Sequence, residues 1–305
     1  MIHVKAPGLL TTVQDRGLDG FGPMGVSPSG AADPIALRVG NMLVGNADGA
    51  AALEMTLLGG SFMFDEDCVV ALTGSDFGAK LDAEHRQTWT SFNVSAGQTL
   101  RMEQTQSGAR CYVCVGGGIS VPLLLGSAST HLLSGLGGYH GRALRKGDIL
   151  EIGRGANGAG RGCIDPEMLR LLAPRKELRV TPGLQWEWFT GASKQAFCRN
   201  TYRVTEESNR MGLRLEGRLL QSTGSGRMIS EGVPLGAIQV PASGQPVILF
   251  VEQQTTGGYP KIANIIAADL PSVGQLRPRD EISFELVAPE VARNLLRGQE
   301  DLLRP

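Results

Sequence analysis

The sequence has almost no net charge to offer a partner. Its 29 Lys and Arg balance 30 Asp and Glu, giving a formal charge of −1, and the pI is near 6.4. Binding to nucleic acid or an anionic membrane leaves a basic footprint that this chain lacks. Long apolar runs are missing too. The longest candidates are broken by Gly, Pro or charge, so no membrane span is predicted. Met1-Ile2-His3-Val4-Lys5 lacks the apolar core of a secretory signal. The five cysteines, at 68, 111, 114, 163 and 198, are odd in number. A cytoplasmic chain with free thiols follows from these two features.

Catalytic signatures are equally scarce. No Ser-His-Asp order, HExxH, GxSxG or Walker motif occurs. The four histidines, at 3, 85, 131 and 140, are scattered. Cys111 and Cys114 have the spacing of half a zinc site, but they fall in a strand-like run, 109–115. Residues three apart on a strand face opposite sides, and no second pair follows, so no metal site is predicted. Gly116-Gly117-Gly118 ends the same run without the Lys-Ser/Thr of a phosphate loop, which leaves ordinary turn geometry. No Met-Lys pair exists, so no covalently bound biotin is expected.

Glycine, by contrast, is abundant: 42 of 305 residues, about twice average usage. Spread through the chain, it predicts many short strands joined by tight turns. Residues 60–153 read as one strand after another. Asp33-Pro34 opens a helix with Asp as N-cap and Pro at the first position, closed by Gly45-Asn46. Residues 7–34, rich in Gly and Pro, read as a long ordered loop carrying Gln14 and Asp15, and a loop of that length points to a binding role. Glu54, alone among apolar neighbours, reads as a strand residue facing a polar edge. The second half opens with a short helix (165–172) and a strand (178–180), and ends in an amphipathic helix from Pro289.

Two lobes are expected. The low-complexity segment 154–163 sets the junction, dividing the chain into 1–160 and 161–305. An internal echo supports the division: Leu144-Arg145-Lys146-Gly147-Asp148-Ile149 recurs as Leu276-Arg277-Pro278-Arg279-Asp280-Glu281-Ile282, each copy leading into an apolar strand. A cleft between two such lobes is the natural place for a ligand.

The richest chemistry lies in 230–261, SEGVPLGAIQVPASGQPVILFVEQQTTGGYPK. Two strand-like runs there carry a dense row of amides and hydroxyls beside Gly257-Gly258. Two readings fit: a polar small-molecule site, or a hydrogen-bonded loop closing a β-barrel. On the first reading, Asp15 or Glu231 is a candidate general base. Arg210 and Lys261 would hold a carboxylate or phosphate oxygen. Gln14, Gln239, Gln254, Thr255, Thr256 and Tyr259 would recognise a lactam or urea-like group. Surface ion pairs contributing little are the alternative for the charges.

Blocks along nearly the whole chain, roughly 2–287, are familiar: GLLTTVQDRG, GVSPSGAADPIALRVGNMLVGN, ALTGSDFGAKLD, AGQTLRMEQTQSGARCYVCVGGGISVP, LGSAST, SNRMGLRLEG, SEGVPLGAIQVPASGQPVIL and QTTGGYPKIA. In this order they resemble the allophanate hydrolase subunit 2 family. That family also goes by the names biotin-dependent carboxyltransferase, KipA, and the C-type subunit of the ATP-hydrolysing 5-oxoprolinase. The resemblance implies a mainly β protein of two cyclophilin-like β-barrel lobes with a few short helices. It implies two partner proteins, one KipI-like and the other LamB/YcsF-like. The implied reaction is ATP-dependent opening of 5-oxo-L-proline to L-glutamate, with ATP and Mg entering at the level of the complex. Asp15, Glu231 and Lys261 are then the candidate catalytic groups. One alternative is a urea-carboxylase type of carboxyltransferase working with a biotinylated partner. Another is a KipA-like regulator that binds a KipI-like kinase inhibitor. Two positions depart from the family pattern: Glu252-Gln253 stand where Asp-Arg is usual, and Leu18 replaces an Arg.

Overall fold

Short runs rich in Val, Leu, Ile, Phe and Thr, cut by glycines, fold as strands wherever one face can be buried. The structure, a computed structural model, describes residues 1–155, 162–224 and 228–304. It is mainly β, as expected, with few short helices. The chain divides into two compact units, one of Met1–Leu18 and Ser29–Ala173, the other of Asp19–Pro28 and Pro174–Arg304. The junction expected at residues 160 and 161 lies outside the described residues.

The first unit has two large antiparallel sheets and a two-stranded ribbon of Thr130–His131 and Leu136–Gly137. The seven-stranded one runs Ile119–Ser120, Ile149–Ile152, Ile2–Ala6, Ser61–Phe64, Thr99–Arg101, Lys80–Leu81, Glu84–His85. The five-stranded one runs Leu10–Gln14, Ala52–Thr56, Arg110–Val115, Cys68–Gly74, Thr90–Val94. Side chains from both, among them Ile2, Phe62, Leu53, Leu72 and Val113, share one core. The helix Pro34–Leu43 is capped as predicted, the Ala36 N–H donating to Asp33 Oδ1 at 3.0 Å. It lies on the outer face of the five-stranded sheet, where Thr73 Oγ1 donates to the Ala36 carbonyl at 2.6 Å. Cys111 faces the core while Cys114 lies 3.8 Å from the Leu37 carbonyl of the helix, so the two thiols occupy opposite faces. Burial pushes both thiols up.

One segment differs from the sequence reading. Leu10–Gln14, placed above in a loop, is a strand paired residue for residue with Ala52–Thr56. Its Thr-Thr-Val core is β-prone. The flanking glycines, Gly8 and Gly17 at positive φ, made the whole stretch read as a turn.

The second unit is built on a closed seven-stranded barrel, the form expected of the lobes. Its order is Glu177–Pro182, Lys261–Ile265, Ala237–Gln239, Val247–Leu249, Gly212–Glu216, Tyr202–Val204, Glu281–Leu286. The last strand pairs in parallel with the first, and closure leaves no edge. The helix Gly191–Arg199 stacks Phe197 on Phe284 of the barrel, with ring centroids 4.5 Å apart. Among the described residues no helix is long and apolar enough to cross a membrane.

The sequence echo is a matched pair of turns. In the first unit, Asp148 accepts from the Arg145 N–H at 2.7 Å and returns its own N–H to the Arg145 carbonyl. In the second, Asp280 accepts from the Arg277 N–H at 2.8 Å and does the same. Val4 and Val204 exchange backbone hydrogen bonds with the two turns in the same register. Gly147 and Arg279 hold the same position, with φ of 93° and 74°.

Candidate functional site

The predicted site residues fall in both units. Gln14 and Asp15 belong to the first, and the other eight to the second.

In the first unit the strand Leu10–Gln14 delivers Asp15 to a turn opposite 127–130. The Asp15 carboxylate accepts from Ser127 Oγ at 2.6 Å, Ser129 Oγ at 2.5 Å, Ala128 N–H at 2.6 Å and Gly17 N–H at 2.8 Å. Four donors occupy the acceptor positions of this carboxylate. Asp15 therefore knots two distant segments together. Gln14, fully buried, donates through Nε2 to Thr12 Oγ1 at 3.0 Å and to the Thr130 carbonyl at 3.1 Å. Its Oε1 has no hydrogen-bond partner among the described residues. Glu54 is also an organiser: it accepts from Tyr112 Oη at 2.7 Å and from the Ala32 N–H at 2.8 Å.

In the second unit Gln239 and Lys261 meet at an irregularity of the barrel, and Glu231 pairs with Lys261. The strand Ala237–Gln239 meets Lys261–Ile265 at a bulge, with Ala263 opposite Ile238 and Lys261 opposite Gln239. A bulge re-aims the side chains around it, and here Gln239 and Lys261 are both polar and buried. A two-stranded ribbon lies beside them, Glu231 opposite Gly257 and Gly232 opposite Thr256. The Lys261 ammonium pairs with Glu231 Oε1. Gln185 braces this pair from both ends: its Nε2 donates to Glu231 Oε1 at 2.9 Å, and its Oε1 accepts from the Lys261 N–H at 3.1 Å. The Lys261 hydrogen bond holds the Glu231 carboxyl below the usual range, against a smaller opposing effect of desolvation, and Gln185 adds to the lowering.

The remaining residues separate. Arg210, read above as holding a carboxylate or phosphate oxygen, donates from Nε to Glu252 Oε1 at 2.5 Å, and both side chains are buried. Thr255 and Thr256 line a cleft of about 640 Å³ with Gln253, Val233 and the 22–28 segment. Gln239, Gln254 and Tyr259 line another of about 180 Å³, with Asn209, Arg214 and an apolar floor of Met211, Val247 and Leu249. Among the described residues, no three His, Cys, Asp or Glu side chains converge in a metal-ligating group.

Sequence reasoning missed Gln185, Asn209, Arg214, Ser127 and Ser129. The serines stand in the quoted LGSAST block, and Asn209 and Arg214 in SNRMGLRLEG. Gln185 stands in a Trp-rich turn with nothing to mark it.

Comparison with known proteins agrees with this architecture. Residues 24–286 match the family described as carboxyltransferase domain, subdomain A and B. The chain is 40% identical over 302 residues to the C-type subunit of 5-oxoprolinase from Escherichia coli, covering 98% of this chain and 96% of that protein. It is 33% identical to urea amidolyase of Saccharomyces cerevisiae, covering 98% of this chain but 17% of that protein. The crystal structure of Kluyveromyces lactis urea carboxylase superposes with a TM-score of 0.93 at 30% identity, covering 99% of this chain and 29% of that one.

Proposed function

The chain belongs to the carboxyltransferase-domain family, subdomains A and B, and from that premise we propose that it is the C-type subunit of an ATP-dependent 5-oxoprolinase. One observation carries this reading: the match to the Escherichia coli protein, at 40% identity, spans 98% of this chain and 96% of that one. The assembly would convert 5-oxo-L-proline to L-glutamate in the cytoplasm, with a KipI-like protein and a LamB/YcsF-like protein as partners. ATP with Mg is a co-substrate of the whole assembly. Transfer of the γ-phosphoryl group to the lactam oxygen activates the ring carbon. Water then adds there and the carbon–nitrogen bond breaks with a proton passing to nitrogen. Hydrolysis of the resulting acyl phosphate releases phosphate.

Within this chain Glu231 and Lys261 are the groups suited to that chemistry. Glu231 is ionised at neutral pH and reaches solvent, so it can take a proton from water. Lys261 supplies a fixed positive charge for an oxygen that gains negative charge. Asp15, with four donors on its carboxylate, would act by holding Gln14 and its turn in place.

A second reading has its own support. The fold recurs in urea carboxylase and urea amidolyase, at 30% to 33% identity. On that reading the same site accepts a carboxyl group from a biotinylated partner.

Mixing the chain with candidate KipI-like and LamB/YcsF-like proteins, then following glutamate and phosphate from 5-oxoproline and ATP, separates the two. Turnover that needs all three proteins and falls with Lys261→Ala supports the oxoprolinase. Carboxylation of urea by the chain with a biotinylated partner, and no glutamate, overturns it.

A further inference from the structure

Two side-chain amides crowd the bare Cα of Gly257. A Cβ added there would lie 2.5 Å from Gln239 Nε2 and 3.1 Å from Gln254 Nε2, so only the lack of a side chain at Gly257 leaves both amides room to sit where they do. Gln239 is 3% exposed, and its Nε2 has no acceptor among the described residues. An unmet buried donor is a standing cost unless something else fills it. The cleft that Gln239 and Gln254 line has the volume for a small ring: about 180 Å³, where an apolar cavity of about 150 Å³ holds benzene. Its walls divide by chemistry. Met211, Val247 and Leu249 form an apolar side, and Arg214 stands at the rim with an exposed side chain, 3.6 Å from Glu207.

We propose that this cleft is the lactam-recognition pocket of the second unit, with Gly257 leaving room for its two amides. The carbonyl oxygen of a small cyclic amide has two lone pairs and accepts from Gln239 Nε2 and Gln254 Nε2 together. The ring methylenes lie on Met211, Val247 and Leu249. A carboxylate on the ring reaches Arg214, whose exposed pairing with Glu207 contributes little and is readily exchanged. The ligand class is a five-membered lactam carboxylate. This inference rests on the oxoprolinase reading and adds the pocket to it.

The test uses the complete three-protein assembly with 5-oxo-L-proline, and with 2-pyrrolidone as the ligand lacking a carboxylate. Gln239→Met removes a donor that no described residue uses. It should leave the melting temperature unchanged and raise KM for 5-oxoproline about tenfold. Gly257→Ala should also raise KM, by displacing the Gln239 amide. Arg214→Gln should narrow the preference for 5-oxoproline over 2-pyrrolidone. Wild-type turnover with KM unaltered in Gln239→Met overturns the pocket and leaves the oxoprolinase standing. A large loss of melting temperature in that variant also overturns it, because the donor would then serve the fold. No turnover by the wild-type assembly overturns the function and the pocket together.

Discussion

The Lys261 ammonium rests on the Glu231 carboxylate with one partner buried and the other open: Lys261 is 1% exposed and Glu231 35%. Removing either partner therefore has unequal consequences. Glu231→Gln strands a buried charge and should cost about 2 kcal/mol, below the range for fully buried pairs because Glu231 reaches solvent. Lys261→Met leaves a carboxylate that can turn to water, and should cost less. Urea denaturation of both variants measures the difference, and equal losses would contradict the asymmetry.

The same pair predicts a pH dependence. The folded-state pKa of Glu231 lies below its unfolded value, so the unfolded chain binds the proton more readily. The stabilisation is therefore complete above the ordinary glutamate pKa of about 4.3 and fades as pH falls through the lower, folded value. Melting curves of wild type and Glu231→Gln should converge on acidification and stay apart at neutral pH. A gap that widens in acid would show the sign to be wrong.

Asp15→Asn tests whether that residue serves structure. The amide replaces an acceptor oxygen with a donor group facing donors, among them Ser127, Ser129 and the Ala128 N–H. Hydrogen bonds to a charged group contribute about 1.5–3 kcal/mol each, so a loss of about 3 kcal/mol in the first unit is expected. Full stability with lost turnover would instead make Asp15 a chemical participant.

Residues 127–130 explain what could and could not be read beforehand. The Asp33 cap and the turn echo were legible because their chemistry is local: an Asp before Pro, and an Asp three residues after an Arg. Asp15 was visible as an unusual residue, but its serine partners lie 112 and 114 positions away. The same holds for Gln185, joined to Glu231 across 46 residues. The strand Leu10–Gln14 was lost because glycines at both ends outweighed its β-prone centre. Arg210 was marked as a cation, yet only folding shows that Glu252 already holds it.

That pairing carries its own prediction. With both side chains buried, Arg210→Met or Glu252→Gln alone should cost about 3 kcal/mol by leaving one charge uncompensated. The double variant Arg210→Met, Glu252→Leu should cost less than either single change. A double-mutant cycle in denaturant reads the coupling, and additive losses would mean that the two charges do not depend on each other.

Arg279 gives the last prediction, and it runs toward stability. Its φ of 74° is one that side-chain-bearing residues adopt at a cost, and the matching turn places Gly147 there. A left-handed conformation costs an L-residue about 1–2 kcal/mol. Glycine avoids that strain but returns part of the gain as unfolded-chain entropy. The Arg279–Glu206 pair that is lost lies on the surface, with side chains 81% and 64% exposed, and contributes little. Arg279→Gly should therefore stabilise the second unit by about 0.5 kcal/mol, read as a higher melting temperature with turnover unchanged. Arg279→Val, β-branched at the same φ, should destabilise it. If both variants melt below wild type by the same amount, the Arg279–Glu206 contact rather than backbone strain controls this turn.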